Sequence, residues 1–491
     1  MLPAVPTTLS FAPSLPSLLH GSRVVLVVAP ASVFAGELPP ILPGPVQALL
    51  TELARDTKSG DLGAVASTLT GQSEPRRLAI GVLPDHGSRY NSPARAESVR
   101  KVVASADLGN NGKAGVILLL PDAANLLAAV NAVGRALPLY SGKSAPSPNF
   151  EVQVLALDPT GQPIAIPPEV EATAHATRTA AMLVDTPPTE LNPEEFASRA
   201  KELLAGLPRV TVREIVGDAL LKEGLGGIHG VGRCALKPPR LVIAQYTPSQ
   251  PGGRSIALVG KGITFDTGGL SIKISGAMNS MKGDLGGAAA VLGAFCVLAA
   301  NDCRHSLSLL LCIAENAVGP QSYKPDDILR LHSGKTVEIN NTDAEGRLLL
   351  ADGVSYAARV LGAEIVFDAA TLTGAQLIST GLLHAAIVSN DETLEQTVIA
   401  AGKHSGDLVH PLPFAPEFYK QEFESSVADM VNSVKNRMNA QSACAAQFVY
   451  WHMEDTRAQW CHVDLAGPSF PKNRGTGFGV ALLSEAIRRI P

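Results

Sequence analysis

The sequence predicts an α/β protein of two domains, a smaller one over residues 1–165 and a larger one over 185–491, joined by a helical linker over 166–184. Three observations predict it. Short β-branched runs alternate with helix-length amphipathic stretches through both halves, the pattern of strands covered by helices. A turn sequence, Asp158-Pro-Thr-Gly-Gln-Pro163, closes the first half before the linker. In the second half, polar Gly-rich loops follow directly on buried-strand runs, where α/β sheets place their sites. At 491 residues the chain is long enough to bury two cores.

In the first half, Val24–Val28, Leu78–Leu83, Val116–Leu120 and Val152–Leu157 are continuous apolar runs of strand length. Helix-like stretches lie between them near 44–55, 91–106 and 123–136. In the second half, Arg240–Tyr246, Ser255–Val259, Ser306–Ile313 and Ile365–Asp368 read as strands. An Ala-rich helix follows Gly286-Gly287 to about Ala300, and another runs from Leu348 to Leu361. No tandem repeat or low-complexity tract interrupts this order.

Composition narrows the function. Hydrophobic residues make up 46% and charged residues 17%, the balance of a globular protein. A net charge of −5 and a pI near 6.1 give no bulk attraction to nucleic acid or to an anionic membrane. No uninterrupted apolar run approaches the roughly 18 residues of a membrane span. The Pro-rich N-terminus lacks the basic start of a signal peptide. Cys234, Cys296, Cys303, Cys312, Cys444 and Cys461 form no Cys-x-x-Cys pair, so buried free thiols in a reducing, cytoplasmic compartment are expected.

Two phosphate-loop patterns fail. Gly334-Lys-Thr336 has Leu329 where a Walker motif needs Gly, and His229 breaks the dinucleotide spacing within Gly224–Gly232. Turns or tight packing are the expected roles of both.

The chemistry concentrates in Asn341-Thr-Asp-Ala-Glu-Gly-Arg-Leu348. Asp343 and Glu345, two apart on an extended segment, would point the same way and converge on one metal ion or bridge two. Arg347 adds a permanent cation for an anion beside them. Upstream, Lys261-Gly-Ile-Thr-Phe-Asp266 follows a buried strand, Lys273 lies seven residues on, and Met281-Lys-Gly-Asp284 precedes the Ala-rich helix. Asp266, Asp284, Asp343 and Glu345 are hard oxygen donors with enough charge for two divalent cations about 3.5–4 Å apart. A carboxylate-rich surface loop is the bland alternative, and it requires seven polar residues in four segments to agree by chance. An amidase or deacetylase would keep the same metals without a reason to favour a free amine.

These segments resemble the cytosol (leucyl) aminopeptidase family of dinuclear-metal peptidases, M17. The matching stretches are Gly260–Gly269, Met281–Gly287, Ala314-Glu-Asn316, Ser333–Glu338, Asn341–Leu348, Ala370-Thr-Leu-Thr-Gly374 and Trp460–Gly467, in family order over roughly residues 180–491. The resemblance implies a central mixed sheet flanked by helices in the larger domain. It implies that Asp266 and Glu345 bridge two metals, with Asp343 on one ion and Lys261 and Asp284 on the other. Zn²⁺ and Mn²⁺ are the expected metals, with Mg²⁺ or Co²⁺ as alternatives. Lys261 can be a ligand only as the neutral amine, which a bound dication selects. Water activated by both metals would attack the peptide carbonyl, Lys273 would polarise that carbonyl, and a bicarbonate held by Arg347 would serve as general base. Met281 and Thr371 would line the side-chain pocket, while backbone groups of Leu372 and Gly374 hold the peptide extended. The implied substrates are peptides with a free, Leu-like N-terminus, and the implied assembly is a homohexamer; a second, nucleic-acid-binding role is known for some family members, but the net charge gives it no support, and composition gives none to a membrane partner. Asn279, Thr267 and Gly283 depart from the residues usual in the family, and none removes a metal ligand.

Overall fold

The apolar runs form two separate sheets, each in its own unit, in a computed structural model that describes residues 7–144, 149–250 and 252–491. Six residues of the Pro-rich N-terminus, 1–6, lie outside the described residues.

The first unit comprises Met1–Thr179 together with Gly402–Leu408. Its strands are β1 (Thr8–Phe11), β2 (Ser22–Pro30), β3 (Ala64–Leu69), β4 (Arg77–Leu83), β5 (Gly112–Leu119), β6 (Phe150–Leu157) and β7 (Pro163–Ile164). They are ordered β1-β6-β5-β2-β4-β3, with β7 on β6; β3 and β7 are antiparallel to their neighbours and the other pairings are parallel. Helix α1 (Gly44–Asp56) covers one face. Helices α2 (Ala96–Ser105) and α3 (Leu126–Arg135) cover the other. Because β2 is buried on both faces, Val24, Leu26 and Val28 enter one core and Val25, Val27 and Ala29 the other. The expected linker is α4 (Pro168–Asp185), and its Val170 and Ala174 pack into the first unit's core.

The second unit, Ala180–Ala401 with Val409–Pro491, is built on an eight-stranded mixed sheet. Its strands are β8 (Val210–Val216), β9 (Arg240–Tyr246), β10 (Ser255–Asp266), β11 (Ser306–Asn316), β14 (Ile365–Ala370), β15 (Ala385–Ser389), β16 (Val409–Pro411) and β18 (Gln459–Asp464). The order is β16-β15-β18-β14-β10-β11-β9-β8. A small sheet of β12 (Ile328–Arg330), β13 (Thr336–Glu338) and β17 (Met430–Val431) adjoins it. Helices α5 (Gly226–Gly232), α6 (Gly286–Ala300), α7 (Gly346–Arg359), α8 (Gln441–Tyr450) and α9 (Val480–Arg489) belong to the same unit.

Helix α6 with the turn before it, Met281–Ala300, is long and apolar enough by composition to cross a membrane, yet 83% of the qualifying window is buried in the fold. It is a core helix: Gly260 on β10 meets it so closely that an added Cβ would lie 2.5 Å from the Ala288 Cα. The glycines of α5 have the same cause. A Cβ on Gly226 would fall 2.1 Å from the Arg330 carbonyl oxygen, so this cluster serves tight packing. All six cysteines are free.

Three expectations change. The strand expected to end at Val259 continues to Asp266, so Lys261 and Asp266 lie on the strand and not in a loop. The helix expected from Leu348 starts at Gly346. The octapeptide expected to be extended is a turn at Thr342-Asp343, after which Glu345 already has helical φ/ψ of −77° and −37°.

Candidate metal centre

Four backbone segments deliver the charged side chains, and a strand irregularity aligns two of them. Lys261 and Asp266 are five apart on β10, which on a regular strand would put them on opposite faces. Between Ile263 and Asp266, however, three steps on β10 face only two on β11, from Ala314 to Asn316. This bulge restores a common face. Both side chains are buried, with residue exposures of 2% each.

The Lys261 ammonium has three partners: Asp284 Oδ1 at 2.7 Å, Glu345 Oε1 at 3.0 Å and the Thr371 carbonyl at 3.0 Å. Asp284 comes from the tight turn Met281–Leu285 ahead of α6, and its Oδ1 also accepts from the Thr371 hydroxyl at 2.7 Å. Glu345 stands at the head of α7. Gly346 lets that helix start against the lysine, because a Cβ there would sit 2.6 Å from Lys261 Cε. Lys273 makes a second, parallel cluster, reaching Asp266 Oδ2 at 2.8 Å and Asp343 Oδ1 at 2.6 Å. Oxygens of Asp266, Asp343 and Glu345 all lie within 4.8 Å of one another, and Asp284 joins them through Lys261.

Convergence of Asp343 and Glu345 therefore does not come from strand alternation. A turn followed by the first helical residue brings them together. Thr342 fixes the turn to the preceding loop, donating to the Gly268 carbonyl at 2.6 Å and accepting from the Ser271 N–H at 2.7 Å.

The electrostatics are those of a cation site. Burial, with nearby Asp266 adding to it, pushes the Glu345 carboxyl up to about 8, and burial pushes Asp284 up to about 6. Burial also opposes the Lys261 and Lys273 ammonium groups, but the surrounding carboxylates outweigh it and hold both above the usual lysine range. Asp284 Oδ2 and Glu345 Oε2 are buried with no hydrogen-bond partner among the described residues. A buried carboxylate oxygen without a donor is costly, and a cation satisfies it. Hard oxygen donors, two of them orphaned, and one lysine that could donate as an amine fit divalent metal.

Arg347 is buried in the first turn of α7. One guanidinium nitrogen donates to the Asn432 carbonyl at 2.9 Å, and Nε has no hydrogen-bond partner among the described residues. Burial pulls it down to about 10 despite Glu345 nearby. Met281 opens the turn that carries Asp284, and Leu372 continues the loop from Thr371 to a short helix that starts at Gly374. The Leu372 N–H donates to Asp464 Oδ1 at 3.1 Å.

Three supporting residues escaped the sequence reading. Asn316, at the end of β11, donates to Asp266 Oδ1 at 2.8 Å and to the Thr342 carbonyl at 3.0 Å. Asn432 donates to the Asn341 carbonyl at 2.7 Å. Asp464 binds the Leu372 N–H and, at 2.7 Å, the Thr373 hydroxyl. Asn316 and Asp464 fall within the Ala314-Glu-Asn316 and Trp460–Gly467 stretches, but a single amide or carboxylate at a strand end has no spacing that marks it.

Fold and site together define a two-domain α/β protein whose larger domain carries a carboxylate–lysine centre suited to divalent metals. Residues 178–484 match the cytosol aminopeptidase family catalytic domain, and residues 42–146 match the M17 aminopeptidase N-terminal domain 2. The chain belongs to the cytosol aminopeptidase family, and it is a metal-dependent aminopeptidase. It is 45% identical over 423 residues to the probable aminopeptidase NPEPL1 of Mus musculus, covering 84% of this chain and 79% of that protein. The apo structure of the leucyl aminopeptidase of Trypanosoma cruzi superposes with a TM-score of 0.90 at 36% identity, covering 99% of this chain and 98% of that one. The bottromycin maturation enzyme BotP in complex with Mn superposes with a TM-score of 0.76 at 30% identity, covering 95% and 99%.

Proposed function

We propose that this aminopeptidase removes N-terminal residues, preferentially apolar and Leu-like, from peptides. The observation that carries the reading is the gathering of Asp266, Asp284, Asp343 and Glu345 around Lys261 and Lys273, with two carboxylate oxygens left unpartnered. Asp266, Asp343, Glu345, Asp284 and a neutral Lys261 would hold two divalent cations, Zn²⁺ or Mn²⁺ with Mg²⁺ or Co²⁺ as alternatives, which supply Lewis acidity and an activated water. Mn²⁺ has support from the BotP structure.

The chain's own groups then divide the work. Lys273, whose side chain is 15% exposed, can reach a substrate carbonyl and donate to its oxygen as negative charge develops. Arg347, with its unpartnered Nε, is the seat for a bicarbonate general base. Asp284 would receive the substrate's α-amine, which gives a reason to require a free N-terminus. Met281 and Thr371 are assigned to the side-chain pocket. The Leu372 carbonyl and the exposed Gly374 are assigned to the peptide backbone, since the Leu372 N–H is already taken by Asp464.

An N-terminal domain over 1–165, a connecting helix over 166–184 and a catalytic domain over 185–491 complete the proposed organisation, in a cytoplasmic homohexamer. Size-exclusion chromatography with light scattering tests the assembly, and a monomer overturns it.

The function is tested by hydrolysis of leucyl amide and N-acetyl-leucyl amide by metal-reconstituted protein. Turnover of the unblocked amide alone is expected. Equal rates would point to a general amidase or deacetylase, and undiminished turnover after chelation would remove the metals from the mechanism.

A further inference from the structure

The N-terminal unit contains a cavity that the aminopeptidase reaction does not use. The chain leaves β2 toward the face covered by α1, and it leaves β4 and β5 toward the face covered by α2 and α3. Since β2 lies between β5 and β4, the connections part at the carboxyl ends of these three strands. Doubly wound sheets bind ligands in the crevice opened by such a parting. A cavity of about 220 Å³ lies there, between Pro30 at the end of β2, Leu83 at the end of β4 and Leu120 after β5.

Its inner walls are apolar, made by Val28, Leu83, Val99 and Leu118. It adjoins an outer basin of about 390 Å³ that shares Asp85 and Arg95 with it. The basin adds Arg89 and Lys403, so three cationic side chains stand against one carboxylate. Asp85 stays ionised there, its Oδ1 accepting the Ser32 N–H at 2.8 Å, so the surplus is of two positive charges.

Arg95 connects the two spaces. It holds a left-handed backbone with φ of 51°, which a non-glycine residue adopts at a cost. The residue is half-buried: one terminal guanidinium nitrogen donates to the Pro93 carbonyl, while Nε has no hydrogen-bond partner among the described residues. It also occupies the N-cap position of the ten-residue α2, where no side chain caps the helix. An uncapped helix start beside a guanidinium is suited to a phosphate.

We propose that the N-terminal unit binds a small phosphorylated molecule of the nucleotide class, its phosphate at Arg95 and the start of α2 and its less polar body in the inner cavity. Charge selects the anion, and the apolar walls select an organic body over free phosphate. This site is independent of the metal centre.

Isothermal titration of the full-length, metal-loaded protein with AMP, adenosine and inorganic phosphate tests it. Saturable AMP binding is expected, tighter than that of either fragment. Arg95→Glu should weaken it at least about tenfold while leucyl amide hydrolysis stays at the wild-type rate. Should R95E fail to fold, Lys403→Glu at the partly buried rim should weaken AMP several-fold. Absence of saturable AMP binding overturns the proposal. So does phosphate binding as tightly as AMP. AMP affinity unchanged in the folded variants would place the ligand elsewhere and equally overturns it.

Discussion

Lys261 Nζ lies 3.0 Å from Glu345 Oε1 in a pocket where both side chains are almost wholly buried. Asp284 and the Thr371 carbonyl take its other two protons. A lysine in that state cannot ligate a metal, because an ammonium has no lone pair.

Metal binding is therefore expected to release protons from the Lys261–Glu345–Asp284 cluster. Calorimetric titration with Zn²⁺ or Mn²⁺ in buffers of differing ionisation enthalpy measures the number. Lys261→Met should release fewer protons than the wild type and bind one equivalent of metal more weakly. An unchanged proton count would remove Lys261 from the ligand set.

Lys273→Ala should lower kcat by about 10²–10³-fold, the usual effect of losing a donor to a developing oxyanion. Metal stoichiometry should remain at the wild-type value. Its collapse would mean that Lys273 organises Asp266 and Asp343 without touching substrate.

Arg347→Ala should remove any dependence of rate on bicarbonate. Wild-type turnover in bicarbonate-depleted buffer should recover on adding the ion, whereas the variant should stay about 10²-fold slower at every concentration. A variant that still responds to bicarbonate refutes the assignment.

Asp464→Asn should loosen the loop from Thr371 to Gly374, since Asp464 accepts from Leu372, Thr373 and, at 3.1 Å, Ser442. A KM rise of about tenfold with a smaller change in kcat and unaltered metal content is expected, matching the loss of one charge-assisted hydrogen bond. Equal falls in kcat and metal content would make its role structural.

His452 should steepen acid unfolding. Its ring is buried against Phe448 and hydrogen-bonded to Ser333 Oγ at 2.7 Å, and burial pulls its pKa down to about 3. The folded protein keeps this ring neutral while the unfolded chain takes up a proton near 6.5. Its contribution is complete above that pH and is lost as pH falls toward 3, by about 2 kcal/mol between pH 6.5 and 5. Urea unfolding at those two pH values should show a smaller loss in His452→Asn. Identical losses would show that His452 does not control the acid limb.

Much of the fold was legible because fully buried strands leave continuous apolar runs. Val24–Val28 lies inside Ser22–Pro30, and Val152–Leu157 inside Phe150–Leu157. Edge strand Ala64–Leu69 and short Ala385–Ser389 were not anticipated. The first is interrupted by Ser67 and Thr68 and the second is only four apolar residues long, so neither stands out, and pairing with β4 or β18 decides their conformation. Helix α2 begins at Ala96 rather than near residue 91, because Pro93 biases the preceding residue away from helix.

At the metal centre, residue types and local spacing were determined by the sequence alone: which carboxylates and cations are present, and which short segments carry them. Side-chain direction was not. Asp343 and Glu345 converge through a turn and a helix start, and Lys261 and Asp266 share a face because β10 slips by one residue against β11. Only the tertiary structure decided these directions, because each depends on a partner segment remote in the chain. The orphaned oxygens of Asp284 and Glu345 have the same origin. Burial and the positions of neighbouring donors arise from packing, and no local pattern of residues encodes them.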